Sequence, residues 1–244
     1  MTHIKNTAFA LFVLVLFTFC NNDHRNIKEY YFPIEELKDG KVYEYQSISD
    51  ERNPPFYWYY QTLEQQKSTF LIGTYYGPDF TQYQLIQEEM VSNGMLLDNF
   101  YWFEPDTLNN KQIQVPANIE SGSVFGFELY DPPTVLVSSI NWRMPSDTLT
   151  KMTFIRNRQY DKDTTYSYQN QTYDCVKFYV RELIDNENEG HLEQEYEATE
   201  IYAKGIGLIY FRKDIAKDFK MEYELKDIYD MKEFEKKFQI SLEK

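Results

Sequence analysis

Cysteine, histidine and glycine are scarce in this chain, and each scarcity closes off a class of chemistry. The 244 residues hold two cysteines, three histidines and nine glycines. His3, His24 and His191 form no H-x-H or H-x-x-x-H pair, and Cys20 and Cys175 lie far apart, so the ligand spacing of a zinc site is missing. The expectation is that the protein holds no metal and no cofactor. Gly205-Ile206-Gly207 lacks the third glycine and the following helix of a phosphate-cradling loop. No G-x-S-x-G elbow is present, and a Ser–His pair would have to use His191. Basic charge is also short: 25 Lys and Arg stand against 39 Asp and Glu, a formal net charge of −14. Such a surface repels phosphates, which excludes nucleic acid as a partner and argues against adsorption to anionic lipid heads.

Long apolar runs are absent with one exception, Ala8–Phe19. It follows a short n-region containing Lys5 and ends at Phe17-Thr18-Phe19-Cys20. The run is too short for a bilayer-spanning helix, which needs about 20 residues, and has the length of a signal-peptide core. Residues 1–19 therefore read as an export signal and Cys20 as the lipid-modified first residue of an envelope lipoprotein, placed at the outer membrane and facing periplasm or cell surface. Thr18 suits the small-residue requirement of such a cleavage box, whereas Phe19 is larger than the usual residue there. With Cys20 lipidated, Cys175 has no partner inside the chain. It sits in an apolar strand pattern and reads as a small buried hydrophobe. Residues 20–29 read as a polar tether, and 30–244 as a single β-rich domain.

Aromatic residues abound, with 22 Tyr, 18 Phe and three Trp. Such residues favour strands, and several segments alternate with period two. Val176, Phe178, Val180 and Ile184 line one side of Tyr173–Ile184. Phe125, Phe127 and Leu129 share a face of Ser123–Tyr130. Met221, Tyr223 and Leu225 do so in Lys220–Lys226. Further strands are expected at 41–48, 55–62, 67–76, 80–91, 95–104, 134–142, 148–160, 194–202 and 206–212. Asp39-Gly40, Gly77-Pro78, Ser92-Asn93-Gly94, Asp131-Pro132-Pro133 and Glu189-Gly190 mark turns between them. Asp161-Lys162-Asp163 is read as a further, polar turn. Residues 104–119 read as the weakest-structured middle, a join between two sheets or two halves of one. Pro33–Leu37 is expected to form one helical turn, and Asp230–Gln239 a helix with Phe234 and Phe238 on one face. The fold class is mainly β, an antiparallel sheet or barrel with few short helices, one near the C-terminus.

One block carries a resemblance. Tyr173–Leu183 (YDCVKFYVREL) followed by Glu197–Phe211 (EATEIYAKGIGLIYF) is similar to paired strands of the TapB-like envelope proteins of Bacteroidota, related in fold to LolA-like half-barrels. The likeness covers about 40 residues and implies a curved antiparallel sheet, a half-barrel or open barrel, around a helix or an apolar cleft, which in some such half-barrels holds acyl chains. Its physical content is a tight turn. Gly205 can take a positive φ, and Gly207 lets a backbone or ring approach closely.

The most unusual feature is two aromatic runs, Phe56-Tyr57-Trp58-Tyr59-Tyr60 and Phe100-Tyr101-Trp102-Phe103. Each places rings on both faces of a strand. Tyr57, Trp58, Tyr59, Tyr60, Tyr101 and Trp102 are the candidate surface for an apolar ligand or a protein partner. The acidic stretch Asp185–Glu189 lacks the spacing of a calcium loop and reads as a solvated hairpin. Three functions follow, in order. The first is a non-enzymatic lipoprotein binding an apolar ligand or acyl chain. The second is an accessory subunit of an envelope complex. The third is a glycan hydrolase using two of the many carboxylates.

Overall fold

The computed structural model of the protein describes residues 24–106 and 111–242. Residues 1–19, read above as an export signal, and Cys20, read as the lipidation site, lie outside these residues. The described chain forms β1 (Arg25–Asn26), two 3-10 turns at Lys28–Tyr30 and Ile34–Leu37, then β2 (Lys41–Ser47), β3 (Phe56–Gln65), β4 (Ser68–Tyr76), β5 (Gln82–Val91) and β6 (Gly94–Asp106). There follow β7 (Lys111–Pro116), β8 (Asn118–Gly126), β9 (Glu128–Leu129), β10 (Val135–Met144), β11 (Asp147–Tyr168), β12 (Gln171–Glu187), β13 (His191–Ala203), β14 (Gly207–Ala216), β15 (Phe219–Tyr229) and helix α1 (Met231–Phe238).

The strands form an antiparallel meander from β2 to β15, with β1 and β9 standing apart as a small two-stranded pair. The meander closes where β15 meets β2, with Tyr229 opposite Val42 and Tyr223 opposite Ser47. β7 and β8 lie end to end along β6, Pro116 opposite Tyr101 and Phe125 opposite Met95, so they share one stave of a twelve-stranded barrel. The antiparallel sheet or barrel expected from the turn spacing is thus a closed barrel, which leaves no sheet edge open along the ring.

Residues 104–119 are a correction. They do not join two halves; β6 runs on to Asp106 and β7 begins at Lys111. Pro105 and Pro116 hid this, yet both fall where the loss of an N–H is tolerated, near a strand end. Asp161-Lys162-Asp163 is a second correction. It lies inside the 22-residue β11, where the register shifts between Tyr160 and Lys162. A bulge of this kind bends a strand without reversing it. The reversal comes at Gln169-Asn170, both at positive φ (48° and 63°), the backbone of a two-residue hairpin. The fold also starts earlier than residue 30: Arg25 pairs with Leu129, and Ile27 is fully buried. One apolar residue is too short a signal to show a period.

The two ends of the barrel differ. The segment following β1 folds across one end, burying Ile27, Tyr30, Tyr31, Phe32, Ile34 and Leu37. Backbone N–H groups fasten it there: Ile27 donates to the Phe127 carbonyl (2.7 Å) and Gly205 to that of Glu29 (2.8 Å). Gly205 (φ +75°) makes the β13–β14 turn, and at Gly207 (φ +98°) a Cβ would lie 2.5 Å from the Phe32 ring. On the outside, α1 lays Phe234 and Phe238 against Tyr57 of β3, 5.0 and 5.5 Å between ring centres. Asp230 occupies the N-cap position of α1, but its side chain makes no capping hydrogen bond and accepts one from Lys41 (2.6 Å).

Candidate functional site

A cavity of about 690 Å³ occupies the barrel interior. That is within the range of about 300–1,000 Å³ typical of sites for small organic ligands. It exists because a ring of this many strands is wider than side chains can fill. Tyr31 and Phe32 of the N-terminal plug line its closed end, and Pro54, Pro55 and Pro78 line it among the loops at the other.

Alternation along the strands decides which rings enter. Phe56, Trp58 and Tyr60 of β3 face the cavity, as do Phe100 and Trp102 of β6. Trp58 stacks on Tyr60 (5.5 Å, 8° between planes), and Trp102 lies 4.8 Å from Trp142 of β10. The intervening residues point outward. Tyr57 is covered by α1, and burial pushes its hydroxyl up to about 12. Tyr59 crosses over Gly40, and Tyr101 reaches Asn99 (3.4 Å). The candidate surface thus divides: Trp58, Tyr60 and Trp102 line one cavity, while Tyr57, Tyr59 and Tyr101 lie on the outer wall. None of the six is among the exposed large hydrophobics. Cys175 is buried in the core and unpaired, and burial holds its thiol up at about 11.

The cavity also contains charge, which no sequence motif singled out. Arg156 and Arg158 of β11, Glu182 of β12, Glu200 of β13 and Lys213 of β14 all line it. Glu200 is the hub. Its Oε2 accepts from Arg158 Nε (2.8 Å) and from the Tyr202 hydroxyl (3.2 Å), and its Oε1 is held by Arg156. Burial works against the charge on Glu200, but the guanidiniums of Arg156 and Arg158 outweigh it and hold the carboxyl below its usual range. Glu182 lies between Arg156 (Nε to Oε1, 3.2 Å) and Lys213 (Nζ to Oε2, 2.5 Å). The first contact is close but poorly aligned, so Arg156 Nε makes no hydrogen bond. Deeper in, Glu88 accepts a hydrogen bond from the Tyr31 hydroxyl; burial raises its carboxyl, with Tyr31 and the two arginines opposing.

Every oxygen of Glu200 is committed to a cation or hydroxyl, which suits a structural counter-ion rather than a proton donor. Among the described residues no group of three or more His, Cys, Asp or Glu is placed to hold a metal. Asp185, in the acidic hairpin, instead pairs with His191 (2.8 Å). The signal that could have revealed the lumenal charges is a charge on the apolar parity of a strand: Glu182 fills the one gap in the row Val176, Phe178, Val180, Ile184.

No family model and no curated protein matches the sequence. In structure the chain is similar to a candidate lipoprotein from Parabacteroides distasonis, with a TM-score of 0.51, 11% identity, and coverage of 82% of this chain and 98% of that one. It is similar also to a candidate exported protein with a YmcC-like fold from Bacteroides fragilis, at a TM-score of 0.50, 11% identity and the same coverage. These likenesses concern the fold; the TapB-like and LolA-like resemblance of the C-terminal block is not among them.

Proposed function

We propose that this protein is a lipid-anchored lipoprotein of the bacterial envelope whose barrel encloses an apolar, acyl-bearing ligand without converting it. The observation that carries the reading is the cavity: about 690 Å³, ringed by tryptophan, tyrosine and phenylalanine. A space of this size lined by apolar rings offers extensive dispersion contacts to a hydrocarbon chain. The outer wall carries exposed charge on β12 and β13. Arg181 and Glu195 pair across β12 and β13 with more than half of each side chain exposed, where a membrane-spanning barrel would show an apolar belt. The anchor would therefore be the N-terminal lipid on Cys20. Two exported relatives in fold, one described as a lipoprotein, support the envelope address.

Native mass spectrometry of the protein purified from its producing organism tests the ligand. The expected spectrum shows the polypeptide with an added small molecule that organic solvent removes. A spectrum of the polypeptide alone, with no releasable mass, contradicts it.

A further inference from the structure

We infer that the ligand of the lumen is an anionic amphiphile, a long-chain carboxylate whose head sits on Arg156 and Lys213 and whose chain runs along the aromatic wall. The inference rests on the proposal that the lumen holds a ligand, and it specifies that ligand's chemistry.

Two observations point to the anion. First, the charges are layered. The side chains of Arg156 and Lys213 keep 32% and 28% of their surface exposed, while the carboxylates they contact, Glu182 and Glu200, keep 2%. The open space therefore meets cations, with the anions behind them. Second, the cations share a carboxylate. Both reach Glu182, one at each oxygen, so a single head group above Glu182 comes within reach of both.

A neutral hydrocarbon filling this space would strip water from an ammonium and a guanidinium group and offer them nothing in return. A carboxylate offsets that cost with charge-assisted hydrogen bonds. Above the charges the wall is apolar: Trp142, Met152, Phe154, Ile184 and Met221 line the cavity toward the loop end. This gives a length of hydrocarbon-compatible wall continuous with one cationic spot, the outline of a fatty acid bound head-first. The remaining lumenal charges are accounted for. Arg158 is committed to Glu200 and Tyr202, and Glu88 to Tyr31.

Isothermal titration of the purified full chain with dodecanoate and with 1-dodecanol, each below its aggregation threshold, separates the possibilities. Dodecanoate should bind about tenfold or more tightly than the alcohol, the increment of a charge-assisted bond. Lys213→Met should bring the affinity of dodecanoate down toward that of the alcohol, and Lys213→Arg should restore the preference. Binding of the alcohol by the Met variant shows that the variant is folded. Equal binding of the two compounds, insensitive to residue 213, would overturn the anionic head and leave the lumenal-ligand proposal standing. Failure of both compounds to bind the wild-type chain would overturn the two together.

Discussion

At the residue scale, the lumenal ion cluster is the feature with the largest energetic consequence. A buried charge loses its hydration and persists only when paired. Glu200 compensates Arg156 and Arg158 at once, so Glu200→Gln should destabilise the barrel by about 3–5 kcal/mol at neutral pH, read as a shift in urea midpoint. The sign of the pH dependence follows from the lowered carboxyl. Its contribution is present above the ordinary carboxylate range and is lost as pH falls through the depressed value. The gap between wild type and Glu200→Gln should therefore narrow in acid. Glu88, raised by burial, acts oppositely: its contribution is present in acid and lost as pH climbs through its raised value. Gly207 is the second sensitive residue. Its φ of +98° and the Phe32 ring 2.5 Å from a would-be Cβ leave no room for a side chain. Gly207→Ala should cost about 1–3 kcal/mol by the same measurement.

At the element scale, much of the fold was legible because the strands are half-buried and alternate. β12 and β15 announce themselves through Val176, Phe178, Val180 and through Met221, Tyr223, Leu225. Legibility failed where a local signal competed with the ladder. Asp161-Lys162-Asp163 has the composition of a turn, yet each residue simply faces solvent beside a bulge, with Asp161 paired to Lys177 (3.0 Å). The true turn, Gln169-Asn170, has no glycine to mark it. A non-glycine residue in the left-handed region costs about 1–2 kcal/mol. The double substitution Gln169→Asn with Asn170→Gly supplies the residue types this turn favours, and should raise stability by about 1 kcal/mol in thermal or urea melts. The helix α1 was legible from Phe234 and Phe238, but not its seat, because no periodicity says which outer face a helix covers. Phe234 is fully buried against Tyr57, Phe80 and Tyr229. Phe234→Ala should cost about 3–5 kcal/mol and speed hydrogen exchange in α1, while dodecanoate affinity holds, since the helix lies outside the lumen.

At the scale of the whole molecule, the site was only half visible in the sequence. The aromatic runs stood out because Tyr and Trp on adjacent positions are rare. Trp58 and Trp102 share one face because the register across β3 to β6 sets them in a single row with Tyr75 and Gln84; that this face encloses a space depends on closure of β15 onto β2, a pairing of the chain's two ends that no local pattern encodes. The lumenal charges were hidden for a related reason. Arg156, Glu182, Glu200 and Lys213 come from four successive strands, and among 39 acids and 25 bases nothing marks them until parity and register are known. The proposed lipid anchor rests instead on the N-terminus. Palmitate labelling of the wild type and of Cys20→Ala should leave label only in the former; equal label in both would remove the anchor.

All three tryptophans of the chain, Trp58, Trp102 and Trp142, line the lumen. The protein's tryptophan emission is thus a report from the cavity alone. Titration with a fatty acid bearing a nitroxide on its chain tests the central claim directly. The account predicts saturable quenching of most of the emission, reversed by unlabelled dodecanoate. Emission that stays unchanged as the labelled acid is added, or falls only in proportion to its bulk concentration, would contradict it.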